Sequence, residues 1–218
     1  MFDGFTKQGL ELLTRLPTLD KDRFAAVKKQ YTAEIAEPAK EFVDALGGEL
    51  AGRISNGIEY AAKTNGSISP INNDLRFNPE AAPYKDHLLF RFWEGPNKKT
   101  APTLFVRLSA EDVGFATGVV FDPVDRARQA IDSDGADLRR EIDALVRQTK
   151  GEVAGADLKR VPKPYPQDHP QAELLKHTWL QVRWLTRSSR TGSGLLGRCV
   201  DQLEKAGSVH RWLVDHLS

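Results

Sequence analysis

Three features of the chain predict an α+β fold, with a mainly antiparallel sheet covered on one face by helices. Apolar residues recur at helical spacing in the first and last thirds. In the middle third they fall in short aromatic and β-branched runs of strand period. The connections between those runs are short, as between antiparallel neighbours. A chain of 218 residues buries roughly 70% of its extended surface on folding, enough for one sizeable core, so residues 1–218 are read as a single domain.

The elements run in order along the chain. Thr6 to Leu16 carries Leu10, Leu12, Leu13 and Leu16, a helical pattern ended by Pro17. Asp20 or Asp22 caps a second helix, in which Phe24, Val27, Tyr31, Ile35, Phe42 and Leu46 recur at spacings of three, four and seven. Gly47 and Gly48 are expected to end it, and Pro38 to kink or divide it. Asn73 to Phe77 is expected as an edge strand. His87 to Trp93, Thr103 to Ser109 and Gly114 to Phe121 are the central strands. Asp122-Pro123 opens a helix through Ile131, and Asp137 to Lys150 forms a second. Gly151 to His169 reads as loop. Gln171 to Lys176 is a short helix, Trp179 to Leu185 a strand, Thr186 to Gly194 a polar loop and Gly194 to Leu217 the closing helix.

Strand side chains alternate between faces. Leu88, Phe90, Phe92, Leu104, Val106, Leu108, Leu180, Val182 and Trp184 fall on the apolar face that helices should cover. The opposite face then receives His87, Leu89, Arg91, Phe105, Arg107, Trp179 and Arg183, with Arg76 from the edge strand. Gly114, Ala116, Gly118 and Val120 lie on this same face, almost without side chains. Glycine inside a strand often marks close approach of a ligand or another backbone. Guanidinium groups around such a floor suit phosphate or carboxylate, because Arg offers planar bidentate donors. A plain solvated or helix-capped polar face is the competing reading.

Composition excludes rather than selects. Hydrophobic residues make up 40% and charged residues 28%, with a formal net charge of +1, so global charge points to neither nucleic acid nor membrane. The single cysteine, Cys199, cannot close an internal disulfide and falls at an apolar helix position. The start MFDGFTKQ shows no signal peptide, and no apolar run is long enough to cross a bilayer. A cytoplasmic protein with no membrane partner is expected. The five histidines lie outside metal-binding spacings, so no metal site is expected. No cofactor is expected either. Gly192-Ser193-Gly194-Leu195-Leu196-Gly197 matches G-x-G-x-x-G, but the rest of the chain is one helix, not a parallel βαβ unit.

The most specific segment is Asn73-Asp74-Leu75-Arg76-Phe77 followed by Ala82-Pro83-Tyr84-Lys85-Asp86-His87-Leu88. It resembles the signature of a bacterial and fungal family, domain of unknown function 2461. Further matches are Phe2-Asp3-Gly4-Phe5, Asp22-Arg23-Phe24, Phe105-Val106-Arg107-Leu108, Leu158 to Lys163, Asp168-His169-Pro170 and Trp212-Leu213. Where the family usually has a Trp near its glycine-rich strand, this chain has Val119, Val120 and Phe121. The resemblance implies one cytoplasmic domain and supplies no reaction. It singles out Asp74, Arg76, Tyr84, Lys85 and His87, and later Lys159, Arg160 and His169.

The functional expectation is an anionic small molecule, phosphorylated or carboxylated, held by Arg76, Lys85, Arg91, Arg107 and Arg183. Were the protein an enzyme, His87 or Asp74 would be the base and Tyr84 the proton donor. Two alternatives come from other classes. Lys176, Arg183, Arg187, Arg190 and Arg198, with no acid from Leu174 to Val200, would suit a nucleic-acid-binding module over 176–198. A protein-interaction module needs no ligand chemistry.

Overall fold

The computed structural model describes residues 2–76, 78–156, 158–187 and 189–218. The first helix, α1 (Lys7–Arg15), starts where the Thr6 hydroxyl accepts the Gly9 N–H at 2.9 Å. Asp20 does the same for Arg23 at 2.8 Å and opens α2 (Lys21–Tyr31). The helical run divides just before Pro38, as its position suggested. The chain passes through one wide π turn (Thr32–Ala36), and Pro38 then sits at the start of α3 (Glu37–Arg53), where its missing N–H costs nothing. Gly47 and Gly48 do not stop this helix. A Cβ on Gly47 would meet the Tyr60 ring at 2.4 Å, so that glycine admits an aromatic neighbour within a continuing helix.

Among the described residues six strands form one sheet: β1 (Ile58–Glu59), β2 (His87–Glu94), β3 (Thr103–Ser109), β4 (Val113–Val120), β5 (Glu152–Ala156) and β6 (His177–Thr186). Their spatial order is β1-β2-β3-β4-β6-β5, and every pairing is antiparallel. The fold is therefore α+β. Residues 73–76 are not a strand. Asn73 pairs with the chain before β2, Leu75 and Arg76 turn, and Phe77 lies outside the described residues. Ile58–Glu59 and the bridge from Ile68 to Phe90 occupy the sheet edge instead. The outer strand β5 lies within the stretch expected to be loop. Its sequence EVAGA has one β-branched residue, and its hydrogen bonds come from lying beside β6.

The two helices expected after Phe121 are one, α4 (Val124–Thr149). Ala127, Ile131, Leu138, Ile142 and Leu145 form an unbroken buried stripe, which carries the helix through Asp132-Ser133-Asp134-Gly135. A single turn, α5 (Ala172–Leu175), precedes β6. The closing helix divides into α6 (Gly194–Glu204) and α7 (Gly207–Leu217) around the fully buried Ala206.

The helices pack on one face of the sheet. Phe42 of α3 lies 4.8 Å from the Phe90 ring, and Trp184 of β6 donates its indole N–H to Gln202 of α6 at 3.0 Å. Leu88, Phe90, Phe92, Leu104, Val106, Leu108 and Val182 are all at most 2% exposed. Among the described residues, no helix is long and apolar enough to cross a membrane.

Candidate functional site

The candidate site is a groove that the strand pattern cuts into the face without helices. The register aligns Leu89, Arg107, Gly114 and Leu185 in one row across the sheet. The next row holds Arg91, Phe105, Ala116, Arg183 and Glu152, and the third holds Trp93, Thr103, Gly118, Gln181 and Ala154. Along β4 the outward residues are therefore small, while β3 and β6 on either side present large ones. A channel floored by β4 results from that contrast alone.

Two hollows open along it. The larger has a volume of about 560 Å³, with Gly114 and Ala116 below and Arg107, Lys150 and Arg183 around. The smaller, about 160 Å³, lies toward the other end of β4 over Gly118, with Arg91, Lys98, Lys99 and Trp179 around it. Phe105 and Gln181 line both. Apolar surface is exposed on the same face: Leu185 is 64%, Val120 48% and Trp179 37% accessible.

The small floor has two causes. A Cβ on Gly118 would stand 2.4 Å from the Leu180 carbonyl oxygen, so the neighbouring strand's backbone excludes a side chain there. At Gly114 the nearest atom is Leu185 Cδ2 at 3.1 Å, the end of an exposed side chain. Close approach of backbone accounts for Gly118, and only Gly114 leaves space with a yielding neighbour.

The charges around the larger hollow are mostly paired. Arg107 bonds Asp112 at 2.9 Å and stands 3.6 Å from Asp86, and Arg183 bonds Glu152, its register partner, at 2.7 Å. Lys150, at the left-handed C-cap of α4, has no acidic partner among the described residues. The smaller hollow differs. Arg91 packs over the Phe105 ring at 5.8 Å, Lys98 lies 6.0 Å from the Trp93 ring, and no acid is in the lining. Lys98, Lys99 and Lys150 are the residues that reading alternation in strands missed. Lys98 and Lys99 belong to the hairpin loop after Glu94-Gly95-Pro96-Asn97, and a tight β2–β3 hairpin must lay that loop against the strand ends.

Of the expected ligand-binding residues, Arg91, Arg107 and Arg183 meet on this face, and Arg76 and Lys85 do not. Asp74 and Arg76 form a bidentate pair in an exposed turn, at 2.9 and 2.6 Å, which holds the Asp74 carboxyl below its usual range. Lys85 donates to the Pro70 carbonyl at 2.5 Å, and partial burial lowers its ammonium pKa. Tyr84 is buried and stacked on Phe24 of α2 at 4.5 Å. The candidate catalytic trio Asp74, Tyr84 and His87 therefore does not converge: one is in a surface turn, one in the core and one on the sheet. Asn73 N–H to the Pro83 carbonyl (3.0 Å), Lys85 N–H to the Ile71 carbonyl (2.8 Å) and Asn73 Nδ2 to the Ala82 carbonyl (2.7 Å) tie the two signature blocks into a brace. That brace seats Tyr84 against α2 at the β2 side of the fold.

His87 does approach the groove, at its rim. Its Nδ1 is 2.7 Å from Asp86, whose carboxyl is held below its usual range first by that hydrogen bond, with Arg107 contributing. Ser109 Oγ donates to Asp112 at 2.8 Å and completes a polar chain running from His87 through Asp86, Arg107 and Asp112. This chain fixes the Arg107 guanidinium beside the larger hollow.

Three cations of the basic segment 176–198 are engaged within the chain. Lys176 pairs with Glu173 at 2.6 Å, Arg183 with Glu152, and Arg198 donates to the Ser189 carbonyl at 2.8 Å. Trp179 and Trp184 face opposite sides of the sheet. The glycine-rich segment 192–197 runs into α6, and the chain's own start packs on its beginning: a Cβ on Gly4 would lie 2.4 Å from Gly192 N, and Phe5 bridges Thr191. Among the described residues, no group of three or more His, Cys, Asp or Glu could hold a metal ion. His169 bonds Asp132 of α4 at 3.0 Å and clips the 161–170 loop to that helix.

A search of curated protein sequences returns no relative. A family profile described as "Conserved hypothetical protein (DUF2461)" matches residues 16–212. That match spans α2, α3, the brace, all six strands and the first half of α7, and so this chain belongs to the DUF2461 family.

Proposed function

We propose that this protein binds an anionic small molecule, phosphorylated or carboxylated, in the groove along β4. The observation that supports this is the larger hollow, where Arg107, Lys150 and Arg183 surround an uncovered floor of Gly114 and Ala116. Guanidinium and ammonium groups beside Leu89, Phe105 and Leu185 suit an anionic group on an apolar body. Arg107 is held by Asp86 and Asp112, so an arriving anion meets a donor already oriented. Lys150, without an acid of its own among the described residues, supplies the uncompensated charge.

The test is thermal denaturation against a panel of carboxylates and phosphate esters. A binding anion raises the melting temperature in proportion to the logarithm of its concentration above Kd. Arg107→Ala and Lys150→Gln should each abolish most of that rise. A wild-type protein that no panel anion stabilises overturns the proposal.

A further inference from the structure

The two hollows share Phe105 and Gln181 and lie over one continuous strand, with Gly114 and Ala116 under the first and Gly118 under the second. Four residues of strand separate Gly114 from Gly118, which is about 13 Å at 3.3 Å per residue. Cations stand at both ends of that span, and between them Phe105 and Ala116 are flanked by Arg91 on one side and by the Arg183–Glu152 pair on the other. Arg107 and Lys150 flank the Gly114 end, while Lys98 and Lys99 flank the Gly118 end. The Phe105 ring and Ala116 lie between them in register, and Leu185 and Trp179 stand exposed on β6 as shoulders. The second hollow has no acidic residue in its lining, so its charge is not neutralised from within the site.

We infer that the groove is one trough for an elongated molecule carrying an anionic group at each end of an apolar body. This rests on the anion-binding reading of the larger hollow and extends it to a ligand class. Lys150 and Arg107 take one anionic group. The body lies along Phe105 and Ala116. Lys98, whose ammonium also donates to the Asn65 carbonyl, and Lys99, both on the β2–β3 hairpin loop, take the other. A short anion fills the first hollow alone and gains nothing from the loop.

The probes are a linear α,ω-dicarboxylate of about twelve carbons, whose ends span roughly the length of four strand residues, and the monocarboxylate of equal carbon number. Calorimetric titration into the wild-type protein should give the diacid at least ~10-fold higher affinity, a difference of about 1.4 kcal/mol. The double variant Lys98→Gln, Lys99→Gln removes both loop charges without adding a repulsive one. It should bring the diacid down to the monoacid and leave the monoacid unchanged. Arg107→Ala should weaken both. Equal affinity of the two acids, or a diacid indifferent to the loop charges, overturns the trough and leaves the anion site standing. Binding of short panel anions but of neither long acid overturns the trough as well. Failure of every anion, long or short, overturns both readings.

Discussion

The two faces of this sheet come from the same strands and differ by one residue of offset. Leu88, Phe90 and Phe92 are sealed under α3 and its neighbours, while Leu89 and Arg91, interleaved with them, are only partly covered. On the sealed face the strands contribute similar bulk, and side chains meet helices at core density. On the open face bulk is uneven: arginine, phenylalanine and tryptophan on β2, β3 and β6 surround glycine and alanine on β4. Packing thus flattens one face, and the lack of it leaves a groove on the other. The difference teaches that a strand of small residues leaves a groove where its neighbours present large side chains and no helix covers them.

The sharpest way to break this comparison is to remove bulk from each face. Phe90→Ala, at a fully buried ring against Phe42, should cost ~3–5 kcal/mol in urea denaturation. Leu185→Ala on the open face should stay within ~0.5 kcal/mol. A comparable loss at Leu185 would mean that the open face is packed. The second comparison sits within β4. Gly118→Ala drives a methyl group into the Leu180 carbonyl and should cost ~1–3 kcal/mol. Gly114→Ala has only the tip of Leu185 and the Arg107 Cβ to displace and should cost much less. Equal melting temperatures for the two variants would refute the idea that backbone approach dictates one glycine and not the other.

The smallest effect depends on pH and comes from the helical side. His210 of α7 is 1% exposed, its Nε2 lies 3.2 Å from Glu94, and burial pushes its pKa below the ordinary 6.5 despite that carboxylate. The unfolded chain therefore takes up a proton near pH 6.5 that the folded chain refuses. Stability should fall as pH drops below ~6.5 toward the lowered folded-state value, with a slope of at most ~1.4 kcal/mol per pH unit. His210→Gln should flatten that part of the profile. An unchanged slope in this variant would assign the acid sensitivity to other groups. Cys199 sits on the same side, its thiol pushed up to about 12 by burial, which fits the inert core position its helical spacing suggests.

Much of this architecture was legible from period alone. Alternation in His87 to Trp93 and Thr103 to Ser109 assigned each side chain to a face, and the observed register agrees residue by residue. The cap of α2 was legible to within two residues, Asp20 or Asp22, because capping acts within one helical turn, whereas Thr6, read as part of the first helix, turns out to cap it. Local signals misled where a distant neighbour decided. Gly47 looks like a helix end, yet the Tyr60 ring packs against it within a helix that continues. Asn73 to Arg76 has strand-like alternation, but its partners are residues 82–85 and not the sheet. The resemblance pointed to the right family, but its signature residues build a brace, and Tyr84 is spent on stacking against Phe24.

The amino-acid sequence by itself determined which side chains share a face of each strand, because alternation is a property of one extended backbone. Only the tertiary structure decided that Arg107 is held between Asp86 and Asp112, that Arg183 faces Glu152 on a neighbouring strand, and that Lys98, Lys99 and Lys150 reach the same groove. Those relations depend on which strands are neighbours and where loops return, and loop closure is too weakly constrained by local residues to be read from them.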